Sequence, residues 1–271
     1  MKAREIFEEN LVLSRDSGYE GGEAWSLNIL GLVACYQGDY GRASALLSQS
    51  EAIFRKLEDE ASLVLPLAFQ GLVAYYQCDL ARAEALWQES LSLAREFEDS
   101  WNLGVASNGL GLIAVSRGDF SRAMDFLQEA LAASQLVGEK RITAMALNSL
   151  GRLARAQGDL RQASALHRQS LALRRELGAK RGMAETLTDL AIVATQSGGP
   201  ENYARAARML GAAEALRARI GAPLPPVERR DFEECVAALE AGLGETEFAA
   251  LRAEGRANGM DQAVSFLDPR E

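Results

Sequence analysis

The chain has 271 residues, is 48% hydrophobic and 25% charged, and carries a formal net charge of −9. That composition excludes a disordered chain, a collagen-like fibre and a membrane protein, since no stretch approaches the ~18 apolar residues a spanning helix needs. The acids of MKAREIFEEN stand where a signal peptide needs an apolar core, and the cysteines Cys35, Cys78 and Cys235 have neither metal-ligand spacing nor a disulfide framework, so the expected location is the cytoplasm.

The first predicted element is a helix over residues 3–17, within an orphan segment 1–20. Lys2 and Ala3 lie 40 residues before Arg42 and Ala43, so this helix has the pattern of the second helix of a repeat whose first helix is missing. Its apolar side (Ile6, Phe7, Leu11) has no hairpin partner. Either fraying or end-to-end self-association is expected, because repeats bury their faces only by stacking on neighbours.

A 40-residue step then runs through the chain, with repeats at about 21–60, 61–100, 101–140, 141–180 and 181–221. Gly31, Gly71, Gly111 and Gly151 follow it, as do Ala34, Ala74, Ala114, Ala154 and Ala194. So do Asp39, Asp79, Asp119 and Asp159, and Ala43, Ala83, Ala123 and Ala163. The fifth copy gains three residues around Gly198-Gly199-Pro200. A period of this length signals stacked supersecondary units.

Each repeat reads as two helices. Leu27, Leu30, Gly31 and Ala34 form one apolar stripe, and Ala43, Leu46, Leu47 and Ser50 the next. Gly38 stands where a helix ends in a left-handed residue, and Asp39 where a side chain caps the following helix. Gly31 and Ala43 are small so that the two helices approach closely. The second repeat has Cys78 in place of that turn glycine, which requires either strain or a different turn.

The spacing Leu27-x2-Leu30-Gly31-x2-Ala34, then Ala43-x3-Leu47, resembles the tetratricopeptide pattern over residues 1 to about 221, in a long variety found in bacterial regulators. The segment 222–271 is expected to cap the array: Pro223, Pro225 and Pro226 interrupt it, and helices follow at about 227–242, 245–256 and 260–267. Leu210-Gly211-Ala212-Ala213-Glu214, Gly221-Ala222-Pro223-Leu224-Pro225-Pro226, Glu228-Arg229 and Leu243-Gly244 resemble the tails of large LuxR-, MalT- and AfsR-type NTPase-linked regulators. The resemblance implies an all-α right-handed superhelical solenoid. It also implies a non-catalytic sensor or interaction arm in signal transduction or transcriptional regulation; a free-standing protein–protein adaptor is the alternative.

Catalytic parts are missing from the sequence. No P-loop occurs, and no cofactor or metal is expected. His167 aligns with Leu47, Trp87, Leu127 and Leu210, which makes it a packing residue. Glu8-Glu9 and Glu233-Glu234 point apart on helices, and Tyr75-Tyr76 is a pair, not a stacking ladder.

Charge is uneven. Residues 1–60 and 61–140 each carry −5, residues 141–220 carry +7 and residues 221–271 carry −6. Direct nucleic-acid binding does not fit this balance. In a tetratricopeptide array the first helices line the concave groove, which makes Asn28, Asn108 and Asn148 a polar row, with Tyr36 and Tyr76, then Arg152 and Arg155, further along. The expected partner is a protein or peptide, with an acidic segment or a small anionic effector lying along Asn108, Asn148, Arg152 and Arg155. The alternative is that the asparagines bridge neighbouring helices and the arginines pair with local acids.

Overall fold

One turn recurs every twenty residues. Residues 18, 38, 58, 78, 98, 118, 138, 158, 178 and 198 all adopt positive φ. At Gly38 the turn N–H bonds to the carbonyl of Cys35, and the Asp39 N–H to that of Ala34, both at 3.0 Å. This is the double bond pattern that closes a helix on a left-handed residue. The next helix is started by the same Asp39, whose side chain accepts from the Arg42 N–H at 3.0 Å. Asp79, Asp119 and Asp159 do the same within hairpins, and Asp59 and Asp99 between them. The predicted caps are therefore present, and the joints between repeats use them too. Cys78 takes the left-handed conformation (φ 66°), as do Glu58 (54°) and Glu98 (53°). The turn is kept and the strain accepted, at about 1–2 kcal/mol each.

These turns divide the molecule into thirteen α-helices among the described residues. The computed structural model describes residues 2–258, with side chains from residue 4. Helix α1 (Lys2–Ser17) precedes five hairpins: α2 (Glu20–Tyr36) with α3 (Tyr40–Lys56), α4 (Glu60–Tyr76) with α5 (Leu80–Glu96), and α6 (Ser100–Arg117) with α7 (Phe120–Leu136). Then come α8 (Lys140–Ala156) with α9 (Leu160–Glu176), and α10 (Lys180–Ser197) with α11 (Pro200–Ile220). Helices α12 (Pro226–Leu243) and α13 (Glu245–Ala257) complete the described chain. The helix expected at 260–267 lies outside the described residues. No described helix is long and apolar enough to cross a membrane.

Inside each of the first four hairpins a glycine makes room for one large side chain. A Cβ added at Gly31 would lie 2.7 Å from Leu47, at Gly71 2.7 Å from Trp87, at Gly111 2.5 Å from Leu127 and at Gly151 2.6 Å from His167. His167 thus fills the position of its aligned leucines and is fully buried. Ala43, Ala83, Ala123, Ala163 and Ala206 are also fully buried. A second tie repeats beside them: Ser50, Ser90 and Ser170 each donate to a first-helix carbonyl, those of Ala24, Val64 and Ala144.

The C-terminal helices divide their work. Helix α13 lies on α11 through a mutual glycine contact. A Cβ at Gly211 would collide with the Arg252 carbonyl, and one at Gly255 with that of Arg208. Phe248 of α13 and Leu239 of α12 join the same buried cluster as Leu187, Leu190 and Leu210. Helix α12 packs on α10, α11 and α13 and also reaches α4. At the other end, α1 packs on α2 but leaves Ile6, Val12 and Leu13 more than half exposed.

Candidate functional site

The inner face of the solenoid is made by α2, α4, α6, α8 and α10, and it changes character along the array. In the first three repeats one inner position holds Leu32, Leu72 and Leu112, partly buried against the core. In the fourth it holds Arg152. Another row reads Trp25, Leu65, Val105 and Met145, then Glu185 in the fifth repeat.

Arg152 is the hub of the charged half. Its Nε donates to both Asp189 oxygens (3.1 and 2.9 Å), and its Nη2 reaches Glu185 and Glu228, each at 3.2 Å. Glu228 also pairs with Arg217 at 3.3 Å, and Glu185 with Arg174 at 3.1 Å. Arg155 donates to Asp231 at 2.6 Å. Burial raises the Glu185 carboxyl, but Arg174, Arg152, Arg181 and Arg217 outweigh it and bring it down to about 2. Burial likewise disfavours the Arg152 cation, yet Asp189, Glu185 and Glu228 hold it firmly protonated. Charges this enclosed are tolerated only when paired on several sides.

The network continues inward. Asp189 accepts from the Asn148 amide at 2.7 Å, and the Asn148 oxygen lies 3.0 Å from His167 Nδ1. Burial pushes the His167 pKa down to about 4, so the ring is neutral near pH 7.

The predicted residues are thus sorted into two groups. Asn28, Asn108 and Asn148 are 0%, 3% and 1% exposed, so they do not line open groove in this structure. The reason is geometric. Each stands three residues before the glycine that faces its own hairpin partner, and residues three apart share a helix face. Asn148 does bridge helices; neither amide atom of Asn28 has a partner among the described residues.

Tyr36, Tyr76, Arg152 and Arg155, by contrast, are on the inner face. Arg181 joins the first two: its guanidinium lies 4.1 Å from the Tyr36 ring centre and 5.1 Å from that of Tyr76, and it donates to the Tyr76 hydroxyl. Arg181 and Tyr76 are 105 residues apart, so the array turns back on itself. The acidic segment that Arg152 and Arg155 meet is the chain's own α12. Ahead of α12, Pro223 seats against the turn at Gly38, where a Cβ would lie 2.7 Å from its Cγ, and in the first turn of α12 Val227 packs on the hydrophobic cluster that includes Tyr76, as Tyr36 and Tyr40 do.

Sequence reasoning did not find Arg181, Arg217, Glu185, Asp189, Glu228 or Asp231. A signal existed for Glu185, which interrupts a row that is apolar in every other repeat. Glu228 stands in the C-terminal resemblance, but no periodicity links it or Asp231 to the array, so neither shows its partner in the sequence. No cluster of three or more metal-ligating side chains occurs among the described residues.

Residues 65–136 and 126–176 match the tetratricopeptide repeat family model. No curated protein matches the chain. Among solved structures, a Rap protein complexed with Competence and Sporulation Factor is similar over 90% of this chain and 75% of that one, with a TM-score of 0.63 and 16% identity. BtubC (BKLC) from P. vanneervenii is similar over 82% of this chain and 92% of its own, with a TM-score of 0.57 and 19% identity. The fold is therefore an all-α repeat solenoid of the tetratricopeptide kind, and the sequence match to that family supports the same reading for its central repeats.

Proposed function

We propose that this chain is a non-catalytic recognition module that takes a protein or peptide segment on its inner face. The observation that carries the reading is that face itself: two tyrosines and a set of arginines, already gripping a proline-led acidic helix. Rigid repeats hold these groups in place, which lowers the ordering cost of binding. A neighbour of the same fold, the Rap protein, is complexed with Competence and Sporulation Factor, which supports ligand binding by such an array. The finer reading is the cytoplasmic interaction arm of a bacterial signal-transduction or transcriptional regulator. It rests on the likeness of residues 210–244 to the tails of such proteins. A photo-crosslinking residue at Tyr36, compared with one at the exposed Gln162 of α9, tests the module in its own cells. Protein adducts are expected from Tyr36 and not from Gln162; adducts only from Gln162 would overturn the reading.

A second reading has its own observation. The exposed Ile6, Val12 and Leu13 of α1 favour self-association at the N-terminal end. Sedimentation should then show dimers that Leu13→Lys with Val12→Lys abolishes; a monomer at high concentration removes this reading.

A further inference from the structure

The element covering the charged inner face is anchored unevenly. In α12 only Cys235 and Leu239 are buried, both in its second half. Its first two turns have no fully buried side chain: Glu228 lies between Arg152 and Arg217, Asp231 lies on Arg155, and Val227 and Phe232 pack only partly buried beside them. The helix is bracketed by Gly221 and Gly244, both at positive φ. Ahead of it the chain runs extended at Pro225 (φ −63°, ψ 147°).

The pairing is in register. Glu228 and Asp231 are three residues apart on one helix face, and so are Arg152 and Arg155 on α8. Each ion pair therefore spans 76 residues. The fit is incomplete at one point: Arg155 Nε is enclosed and has no partner among the described residues. A guanidinium offers a carboxylate two parallel donors, so a better-placed acid could bind there through both.

We infer that the first two turns of α12 occupy, in cis, a docking surface for an acidic helical segment of a partner protein, one carrying two carboxylates three residues apart. The inference rests on the recognition reading above and names its partner class. The cis occupant competes with the incoming segment, so the apparent affinity of a partner falls with the fraction of molecules whose surface is free.

The test uses the full chain and a fluorescein-labelled synthetic peptide of residues 221–243. The host carries Glu228→Gln and Asp231→Asn, which weaken the cis contact without changing shape. Polarisation should show the peptide binding this host at least tenfold more tightly than the unaltered chain. A peptide with the same two substitutions should lose at least tenfold, and adding Arg155→Glu to the host should abolish binding. If thermal melting shows the double variant unfolded, Asp231→Asn alone serves as host with the same expected order. No binding to a folded host, or equal binding to host and unaltered chain, overturns the inference. Should that happen while the Tyr36 cross-link persists, the cis-occupancy idea falls and groove recognition stands.

Discussion

The first three repeats and the last two share one backbone plan and solve their inner faces differently. Leu32, Leu72 and Leu112 pack partly buried against one apolar cluster, which needs no ion pair to complete it. Arg152, Glu185 and Asp189 occupy comparable ground, and stacking alone does not complete them. Their charges need partners on several sides, and the carboxylates of α12 add those that the fourth and fifth repeats do not supply. The difference teaches that a repeat can carry a charged interface only if another element closes it. It also gives part of the +7 block a partner in the −6 segment: Arg152 and Arg217 meet Glu228, Arg155 meets Asp231 and Arg208 meets Glu254.

The comparison can be broken hardest at the C-terminal end. Gly211→Leu drives a side chain into the α13 backbone and should cost at least about 3 kcal/mol in denaturant unfolding. If the half held by α13 tolerates that change, its glycine contact is not what secures it.

Acid should also separate the halves. The folded pKa of His167 is about 4, against about 6.5 unfolded, so the unfolded state takes up the proton first. Stability is full above pH 6.5 and falls towards pH 4 by roughly 3 kcal/mol from this residue. His167→Leu, which restores the residue of Leu47 and Leu127, should flatten the melting temperature across that window. An unchanged slope would remove His167 as its source.

In the first half, Gly71→Leu would press on Trp87, whose indole N–H donates to the Ala68 carbonyl at 3.0 Å. About 1–3 kcal/mol of destabilisation is expected, and an unmoved denaturant midpoint would count against the socket. A gain is expected nearby. Asn28 is enclosed, and neither amide atom has a partner among the described residues, so Asn28→Leu should stabilise by about 1 kcal/mol. Last, Cys78→Gly relieves a left-handed cysteine but adds freedom to the unfolded chain, leaving a net gain of ~0.5 kcal/mol. Calorimetry on the two variants checks both.

Much of the fold is legible in the residues. The Gly-Asp step marks the turns, since a left-handed position favours glycine and a free helix start favours a short acid. The 40-residue period hides a 20-residue one, because the joints at Glu58 and Glu98 lack the glycine that would have announced them. The asparagine row was visible as a pattern but not as a direction. Asn28, Asn108 and Asn148 looked like a ladder facing the groove, and sharing a face with the packing glycines sends them into the hairpins instead.

The sequence by itself determined the helices, their caps and the contacts inside each hairpin, because all of these join residues within about half a repeat to one repeat of each other. Tertiary structure alone decided that Arg181 meets Tyr76, that Pro223 meets Gly38, and that Glu228 and Asp231 meet Arg152 and Arg155. These contacts depend on how far the array curls, and the curl is the accumulated sum of small rotations between repeats. No single repeat carries that sum in its residues, so the occupant of the inner face becomes visible only once all five are stacked.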